Sequence, residues 1–253
     1  MHPPGKNIYF AADAHLGNCY AADPQAAEKR LVRWLDSIRD DAGAIYFLGD
    51  MFDYWYEYKY VVPRGHVRFL GKLAELADRG IEIHLFIGNH DIWMFDYLPQ
   101  EIGVRIHQGP LTVDLLGKRF YLAHGDEVGR RPPMFRFLQA MFRNKVCQFF
   151  YAAIHPRWTF AFARRWSLRS RKTGMERRRQ TAPDRQAAVL ADFAEEYART
   201  HPDIRFFIFG HLHLLLDREL TTASRLLFVG DWMQYFSFIR WDGSRLTLDR
   251  FEI

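Results

Sequence analysis

Five short polar motifs in the sequence contain the residue types that bind metal ions. In chain order they are Asp13-Ala14-His15, Gly49-Asp50-Met51-Phe52-Asp53, Gly88-Asn89-His90-Asp91, His124-Gly125-Asp126 and Gly210-His211-Leu212-His213. Each motif follows an apolar run of the kind that forms a buried strand. Carboxylate and amide oxygens bind hard divalent cations such as Mn²⁺, and imidazole extends the choice to Fe or Zn. A set of ligands this large suits two metal ions better than one.

Each motif also has an ordinary structural interpretation when it is taken alone. Asp13 or His15 could belong to a turn, Asp53 could cap a helix, and His211 with His213 could form a surface pair. Their joint occurrence, each after a strand-like run, favours a dinuclear metallohydrolase instead. Other histidines have no such context and are expected to be structural: His2, His66, His84, His107, His155 and His201.

The segments between the motifs predict an α/β fold. Continuously apolar runs predict strands covered on both faces at Asn7–Ala12, Ala44–Leu48, Ile81–Ile87 and Ile204–Phe209. Further strands are expected at Leu111–Leu115, Arg119–Ala123, Leu226–Val229, Tyr235–Arg240 and Leu246–Phe251, and helices at about 25–40, 66–79 and 183–200. Ligands bind at the carboxyl ends of strands in such sheets, so we expect the motifs to converge there.

Length and composition limit the class of protein. With 253 residues, 49% of them hydrophobic, the chain can form a single globular domain over residues 1–253. No apolar run approaches the ~18 residues that span a bilayer, and the first residues do not have the pattern of a signal segment. Cys19 and Cys147 have no paired spacing, which indicates reduced thiols. These features predict a cytoplasmic protein.

One stretch differs from the rest of the chain in charge. Between Arg131 and Gln180, 13 basic residues accompany one acidic residue, so this stretch has a net charge of +12 within a total of +5. The same stretch contains ten aromatic residues. This change in composition predicts an inserted basic and aromatic helical lid at residues 131–180.

Apolar side chains within this stretch recur at helical spacing. One stripe consists of Phe135, Leu138, Phe142, Val146 and Phe149, and a second row consists of Trp158, Phe162 and Trp166. Such helices could enclose acyl chains and present cations to a diphosphate, or lie on an anionic membrane surface. We expect phosphate contacts from Arg130, Arg169 and Lys172. The alternative is ordinary helix packing with a solvated basic face.

The order Asp-x-His, Gly-Asp-x-x-Asp, Gly-Asn-His-Asp, His-Gly-Asp, Gly-His-x-His resembles the signature of the calcineurin-like metallophosphoesterases. The resemblance covers the chain apart from the basic stretch and implies a four-layer αββα sandwich. It implies two metal sites, one formed by Asp13, His15, Asp50 and His213 and the other by Asp50, Asn89, His124 and His211. It also implies that a water activated by the metals attacks phosphorus. His90 would then stabilise the transition state or protonate the leaving group, and Asp91 would orient His90 by accepting its ring N–H.

Three further features resemble one branch of this family, the UDP-2,3-diacylglucosamine diphosphatases of lipid A synthesis. They are Phe52 with Trp55, the basic aromatic insertion, and Gly230-Asp231-Trp232. The best-known members have Arg after the motif Asn, whereas this chain has His90, as a second branch and general phosphoesterases do. The branch implies pyrophosphate cleavage in a lipid-linked UDP-sugar, with Mn²⁺ favoured and a peripheral position on the inner membrane.

Two other classes of function remain as alternatives. A nuclease, phosphodiesterase or general phosphatase of the same family could bind a phosphate backbone along residues 131–179. Against nucleic acid, the aromatic residues fall on helical stripes and do not alternate with basic residues along a strand. A metal-free interaction protein with this fold would be expected to lack ligands, and none is missing from the motifs.

Overall fold

The structure is a computed structural model that describes residues 6–18, 23–129, 133–163, 165 and 183–252. Its strands are β1 (Asn7–Ala11), β2 (Ala42–Phe47), β3 (Glu82–Phe86), β4 (Arg105–His107), β5 (Leu111–Leu115), β6 (Lys118–Ala123), β7 (Ile204–Phe209), β8 (Leu215–Glu219), β9 (Arg225–Val229), β10 (Ser237–Trp241) and β11 (Leu246–Arg250). Its helices are α1 (Pro24–Ile38), α2 (Val67–Asp78), α3 (Tyr97–Ile102), α4 (Pro133–Arg143), α5 (Lys145–Ala152), α6 (156–163) and α7 (Pro183–Thr200).

The strands form two sheets with parallel centres. One sheet has the order β11-β10-β1-β2-β3-β4 and the other β5-β6-β7-β9-β8. Strands β1 to β4 run parallel in the first sheet, and β6, β7 and β9 run parallel in the second. The carboxyl ends of these strands therefore lie along one edge of each sheet, where the polar motifs follow.

Three clusters of buried apolar side chains hold the layers together. Between the sheets, the rings of Phe10 and Phe120 stack with their centroids 5.7 Å apart. A second cluster packs α1 and α2 on the first sheet around Trp34, and a third packs α7 on the second sheet around Ala194. The four layers are therefore α1 with α2, the first sheet, the second sheet and α7, which is the predicted αββα sandwich.

Short elements were the main omission from the sequence-based expectations, which lacked α3, β4 and β8. The start of α3 depends on a distant side chain, because the Glu57 carboxylate accepts the backbone N–H groups of Phe95, Asp96 and Tyr97. Strand β10 begins at Ser237, two residues later than predicted, because the N–H of Tyr235 donates to the Asp231 carboxylate. Long-range polar contacts of this kind leave no local sequence pattern.

We call helices α4, α5 and α6 the helical insertion. The predicted apolar stripe from Phe135 to Phe149 is not continuous, because α4 ends at Arg143 and a new helix begins. Asn144 caps α5 by accepting the N–H groups of Val146 and Cys147, at 2.9 and 3.2 Å. The insertion therefore changes direction at Asn144. Among the described helices, none has the length and apolar character needed to cross a bilayer.

The insertion exposes large apolar side chains, which we call the outer apolar face. Its members are Met134, Phe137, Val146, Phe149, Phe150, Ile154, Trp158 and Phe162, each at least 46% exposed. No residue of α5 is buried. An apolar surface of this extent is typical of a site that binds a lipid, a membrane or a protein.

Candidate metal centre

The predicted motifs meet at the carboxyl ends of β1, β2, β3, β6 and β7. The backbone at most of the predicted ligands is left-handed: φ is 56° at Asp13, 43° at His15, 52° at Asp50, 66° at His211 and 50° at His213. Residues other than glycine adopt this region rarely and at a cost in free energy, and such positions concentrate at functional sites. The strand-end turns thus direct these side chains toward one another.

Two motif glycines permit the close approach of the ligand side chains. A Cβ atom at Gly88 would lie 2.1 Å from Asp50 Oδ1, and one at Gly49 would lie 2.6 Å from His124 Nδ1. Both distances are far below van der Waals contact. A larger residue at either position would push Asp50 or His124 out of place.

The first group of possible ligands consists of Asp13, His15 and His213, whose ligand atoms lie within 4.8 Å of one another. Asp13 Oδ1 is 3.8 Å from His15 Nε2 and 3.7 Å from His213 Nε2. Asp50 Oδ2 also faces this group, 3.8 Å from His15 Nε2. These spacings are too long for hydrogen bonds but suit a cation that lies between the atoms.

The second group consists of Asp50, His124 and His211. His124 Nε2 is 3.4 Å from both Asp50 Oδ2 and Asn89 Oδ1. His124 Nδ1 donates to Leu48 O at 2.7 Å, which leaves Nε2 as the nitrogen that faces the group. Asp50 therefore lies between the two groups, as the sequence predicts for a bridging carboxylate.

The electrostatics of the centre fit divalent cations. Asp13 Oδ1 is fully buried and has no hydrogen-bond partner among the described residues, which is costly for a carboxylate oxygen unless a cation faces it. Burial alone would raise the pKa of Asp50, but the imidazoles of His124 and His90 hold it well below its usual range. Burial, assisted by His124, lowers the pKa of His211 to about 4, which keeps this imidazole neutral as a metal ligand requires.

His90 lies beside the first group, and its orientation comes from Asp53. Its ring meets the ring of His15 edge-on, with centroids 4.6 Å apart. His90 Nδ1 donates to the backbone carbonyl of Asp53 at 3.1 Å and lies 3.7 Å from Asp53 Oδ1. Asp53 Oδ1 is also 3.5 Å from His15 Nδ1. Asp53 thus contacts both imidazoles and does not cap a helix.

The predicted contact between Asp91 and the His90 ring is wrong. The Asp91 carboxylate is fully buried and accepts the backbone N–H groups of Gly88, Asp50, Met51 and Phe52 at 2.8 to 3.3 Å. Four donors that converge on one carboxylate hold it away from the ring of its neighbour. Burial and the nearby Asp50 charge raise the pKa of Asp91 to about 7. Asp91 therefore fixes the loop that carries Asp50.

Comparison with known proteins agrees with this geometry. The sequence profile of the Calcineurin-like phosphoesterase family matches residues 6–215, which include all five motifs. The chain belongs to this family. A UDP-2,3-diacylglucosamine hydrolase from Porphyromonas gingivalis is 49% identical over an alignment of 255 residues that covers 97% of this chain and 97% of that protein. A protein of the same name from Nitrosococcus oceani is 26% identical over 230 residues, covering 88% of this chain and 86% of that protein.

In this calcineurin-like phosphoesterase, Asp231 is a site residue to which the sequence interpretation gave no role. Asp231 Oδ2 accepts His213 Nδ1–H at 3.1 Å, which leaves His213 Nε2 to face Asp13. Its other oxygen accepts the N–H groups of Met233, Gln234 and Tyr235. The available signal was the position of Asp231, which follows the apolar strand β9 after a single glycine, Gly230.

The remaining predicted site residues of this phosphoesterase lie outside the described part of the chain. They are Arg130, Arg169 and Lys172, the expected phosphate contacts. The described basic residues of the insertion region are Arg136, Arg143, Lys145, Arg157 and Arg165. Residues 133–163 contain no Asp or Glu, so every Lys or Arg in this part of the insertion is without a neighbouring acidic residue in the same stretch.

Proposed function

We propose that this phosphoesterase hydrolyses the pyrophosphate bond of UDP-2,3-diacylglucosamine. Addition of water across the P–O–P bridge would release UMP and 2,3-diacylglucosamine 1-phosphate. The observation that carries this proposal is the position of a buried two-group ligand centre beside a basic, apolar helical insertion. The 49% identity to a UDP-2,3-diacylglucosamine hydrolase over 97% of both chains supports the same substrate.

We assign the two cations to the two groups of side chains. One would be held by Asp13, His15, Asp50 and His213, and the other by Asp50, Asn89, His124 and His211. When bound, a pair of divalent cations polarises phosphoryl oxygens and lowers the pKa of water at the site. Mn²⁺ is the ion we favour, and the mixed oxygen and imidazole set also accepts Fe or Zn.

The side chains around the centre have separate tasks. Asp50, with Oδ1 accepting the His90 backbone N–H at 2.8 Å, presents Oδ2 to both groups of imidazoles. His90 is the catalytic residue of our proposal. Because Nδ1–H donates to the Asp53 carbonyl, Nε2 is the nitrogen left for the substrate, and in the imidazolium form of His90 it can donate a proton to the leaving phosphate oxygen. Asp91 acts through Asp50 as a positioning residue, since it binds the loop backbone.

We propose that the insertion is the lid of this site and the contact with lipid. The outer apolar face can cover acyl chains, and the basic residues suit a diphosphate or an anionic membrane surface. Each basic residue near such a surface contributes about 1 kcal/mol to binding. These features support a peripheral position on the cytoplasmic face of the inner membrane. The phosphate contacts from Arg130, Arg169 and Lys172 belong to the same proposal.

Substrate turnover tests the proposed reaction. The purified chain is assayed with Mn²⁺ on UDP-2,3-diacylglucosamine, single-stranded DNA and bis-p-nitrophenyl phosphate, and each assay is repeated with EDTA. We expect lipid hydrolysis that yields UMP and stops with EDTA. Asp13→Asn should abolish it, whereas Asp217→Asn, a change of the same kind in a surface ion pair, should not. Hydrolysis of DNA in preference to the lipid would favour the nuclease alternative.

A further inference from the structure

The segment that follows the second metal-binding motif has two chemically different sides. Its sequence is Asp53-Tyr54-Trp55-Tyr56-Glu57-Tyr58; a bend at Asp53 and Tyr54 leads into an extended part from Trp55 onward, with a bridge from Tyr56 to Trp93. In an extended chain successive side chains point to opposite sides. The three tyrosines therefore share one side, which we call the tyrosine row, and Trp55 and Glu57 share the other.

The inward side fixes this segment to the αββα scaffold. Trp55 is fully buried, and its indole N–H donates to Glu57 Oε1 at 3.0 Å. Glu57 Oε2 accepts three backbone N–H groups at the start of α3. Removing either group would leave buried polar atoms without partners, so the inward side holds the segment in one position.

The tyrosine row contacts the helical insertion through all three hydroxyl groups. Tyr54 Oη lies 3.1 Å from Tyr151 Oη, and Tyr56 Oη donates to Gln148 O at 2.8 Å; both partners belong to α5. Tyr58 Oη lies 2.5 Å from the hydroxyl of Thr159 in α6, a residue that is only 2% exposed. The row thus binds two of the insertion helices.

Helix α4, the remaining helix of the insertion, is contacted by Trp93. This residue lies two positions after Asp91, the last residue of the third metal-binding motif. Its indole N–H donates to Phe142 O in α4 at 3.0 Å. Its ring stacks on Tyr151 with centroids 5.0 Å apart and meets Phe142 edge-on at 5.4 Å. The segments that carry Asp53 and Asp91 therefore each continue directly into a contact with the insertion.

Hydrogen bonds and ring contacts make different contributions at this interface. Aromatic ring contacts have preferred geometries, but these are broad and allow small shifts of the helices. Hydrogen bonds from buried hydroxyl groups require defined distances and angles, and so they select one arrangement. With its inner side held in this way, the insertion still exposes large side chains such as Phe149, Phe150 and Trp158.

We infer that the hydroxyl groups of Tyr54, Tyr56 and Tyr58 hold the insertion in a single docked position beside the metal centre and thereby determine specificity for the lipid substrate. The substrate part of this inference rests on the proposed function, whereas the docking part does not. These tyrosines are positioning residues, because they contact the insertion and not the reacting atoms.

The test replaces all three tyrosines by phenylalanine, which keeps the rings and removes the hydroxyl groups. Amide hydrogen exchange should accelerate in α4, α5 and α6 but not in the strands of the two sheets. With UDP-2,3-diacylglucosamine, KM should rise about tenfold, which corresponds to about 1.4 kcal/mol, roughly half of the net contribution of three hydrogen bonds at about 1 kcal/mol each. The kcat, and the rate on bis-p-nitrophenyl phosphate, should stay unchanged. Tyr60→Phe is the matched control, because that ring is 85% exposed.

A variant within the insertion distinguishes loss of docking from general misfolding. Thr159→Val removes the partner of Tyr58 from within α6, so Thr159→Val, Tyr58→Phe and the double variant form a cycle. Faster exchange confined to the insertion, with non-additive effects in the cycle, supports the inference. Unchanged exchange in the triple variant, or an equal loss on the lipid and the small diester, overturns it. If the wild-type protein does not hydrolyse the lipid, the proposed function fails, and the exchange data still decide whether the row docks the insertion.

Discussion

The metal centre and the helical insertion differ in the burial of their side chains. At the centre, Asp13 and His124 are fully buried and Asp50 is 2% exposed, with the strand ends of both sheets around them. In the insertion, Phe149 and Phe150 are 72% and 66% exposed, and α5 buries no residue. The scaffold therefore supplies its own core, while the insertion depends on the contacts at its inner side.

This difference shows how strain and exposed apolar surface are tolerated within one chain. The left-handed residues of the centre are unfavourable locally and persist because the packed sheets on either side define their positions. The insertion has little packing of its own to resist change, and its exposed apolar surface gains stability only when a partner covers it. Function at the centre should then be sensitive to single polar changes, and the outer apolar face should tolerate them.

The largest effect should come from Asp50→Asn. Replacement of the carboxylate that faces both ligand groups removes the charge that our proposal assigns to both cations, so kcat/KM should fall by at least about 10³-fold. Metal content, measured on the purified variant by elemental analysis, should fall as well. A variant with full metal content and activity would show that Asp50 does not bridge the two sites.

Equivalent changes in the two regions should differ in their effect on stability. Phe120→Ala, in the cluster between the sheets, should lower the free energy of unfolding by about 3–5 kcal/mol. Phe149→Ala, on the outer apolar face, should change it by less than about 0.5 kcal/mol. Urea unfolding of both variants measures the contrast. A large loss for Phe149→Ala would mean that the outer face is packed in solution.

Removing the negative charge beside His213 should weaken one cation site selectively. In Asp231→Asn, the amide can still occupy the position of the carboxylate but polarises the imidazole less, so we expect metal affinity to fall about 10- to 100-fold. Titration with Mn²⁺ should show one weakened and one unaffected site. Equal weakening of both sites would contradict the separate roles of the two ligand groups.

The residues that the sequence proposes as metal ligands come together in the structure because each follows a buried strand. Strand β7 and helix α7 occupy the predicted ranges 204–209 and 183–200. Their apolar pattern and their flanking residues are local signals. The convergence of the ligands then follows from the parallel topology, which places the carboxyl ends of the strands at one edge.

The partner of His90 was not predictable in the same way. Asp91 is adjacent in sequence, but its carboxylate binds the backbone of Asp50 and Met51, while Asp53 reaches the ring from another strand end. Neighbours along an extended chain point in different directions, so adjacency favoured the wrong carboxylate. The helix break at Asn144 was also missed, because the spacing of apolar residues does not reveal a capping side chain.

The smallest effect we predict concerns His84 and His107, two neighbouring histidines of the scaffold. The described insertion has no buried pair of this kind. His84 Nδ1 lies 2.9 Å from His107 Nε2, and the His84 ring stacks on Tyr46 at 4.2 Å. Burial, with the neighbouring His107, lowers the pKa of His84 from 6.5 to about 4. The unfolded chain therefore takes up a proton before the folded chain does, so stability present above pH 6.5 is lost as the pH falls toward 4.

For this pair, we expect the free energy of unfolding to be about 1 kcal/mol lower at pH 5.5 than at pH 8 through His84 alone. His84→Phe keeps an aromatic ring against Tyr46 and removes the titration, so its stability should depend less on pH by that amount. Urea unfolding of both proteins at the two pH values measures the difference. His201→Phe serves as the control, because that histidine stacks on Tyr197 at the surface. An equal loss in wild type and His84→Phe would assign the acid sensitivity to other titratable groups of the protein.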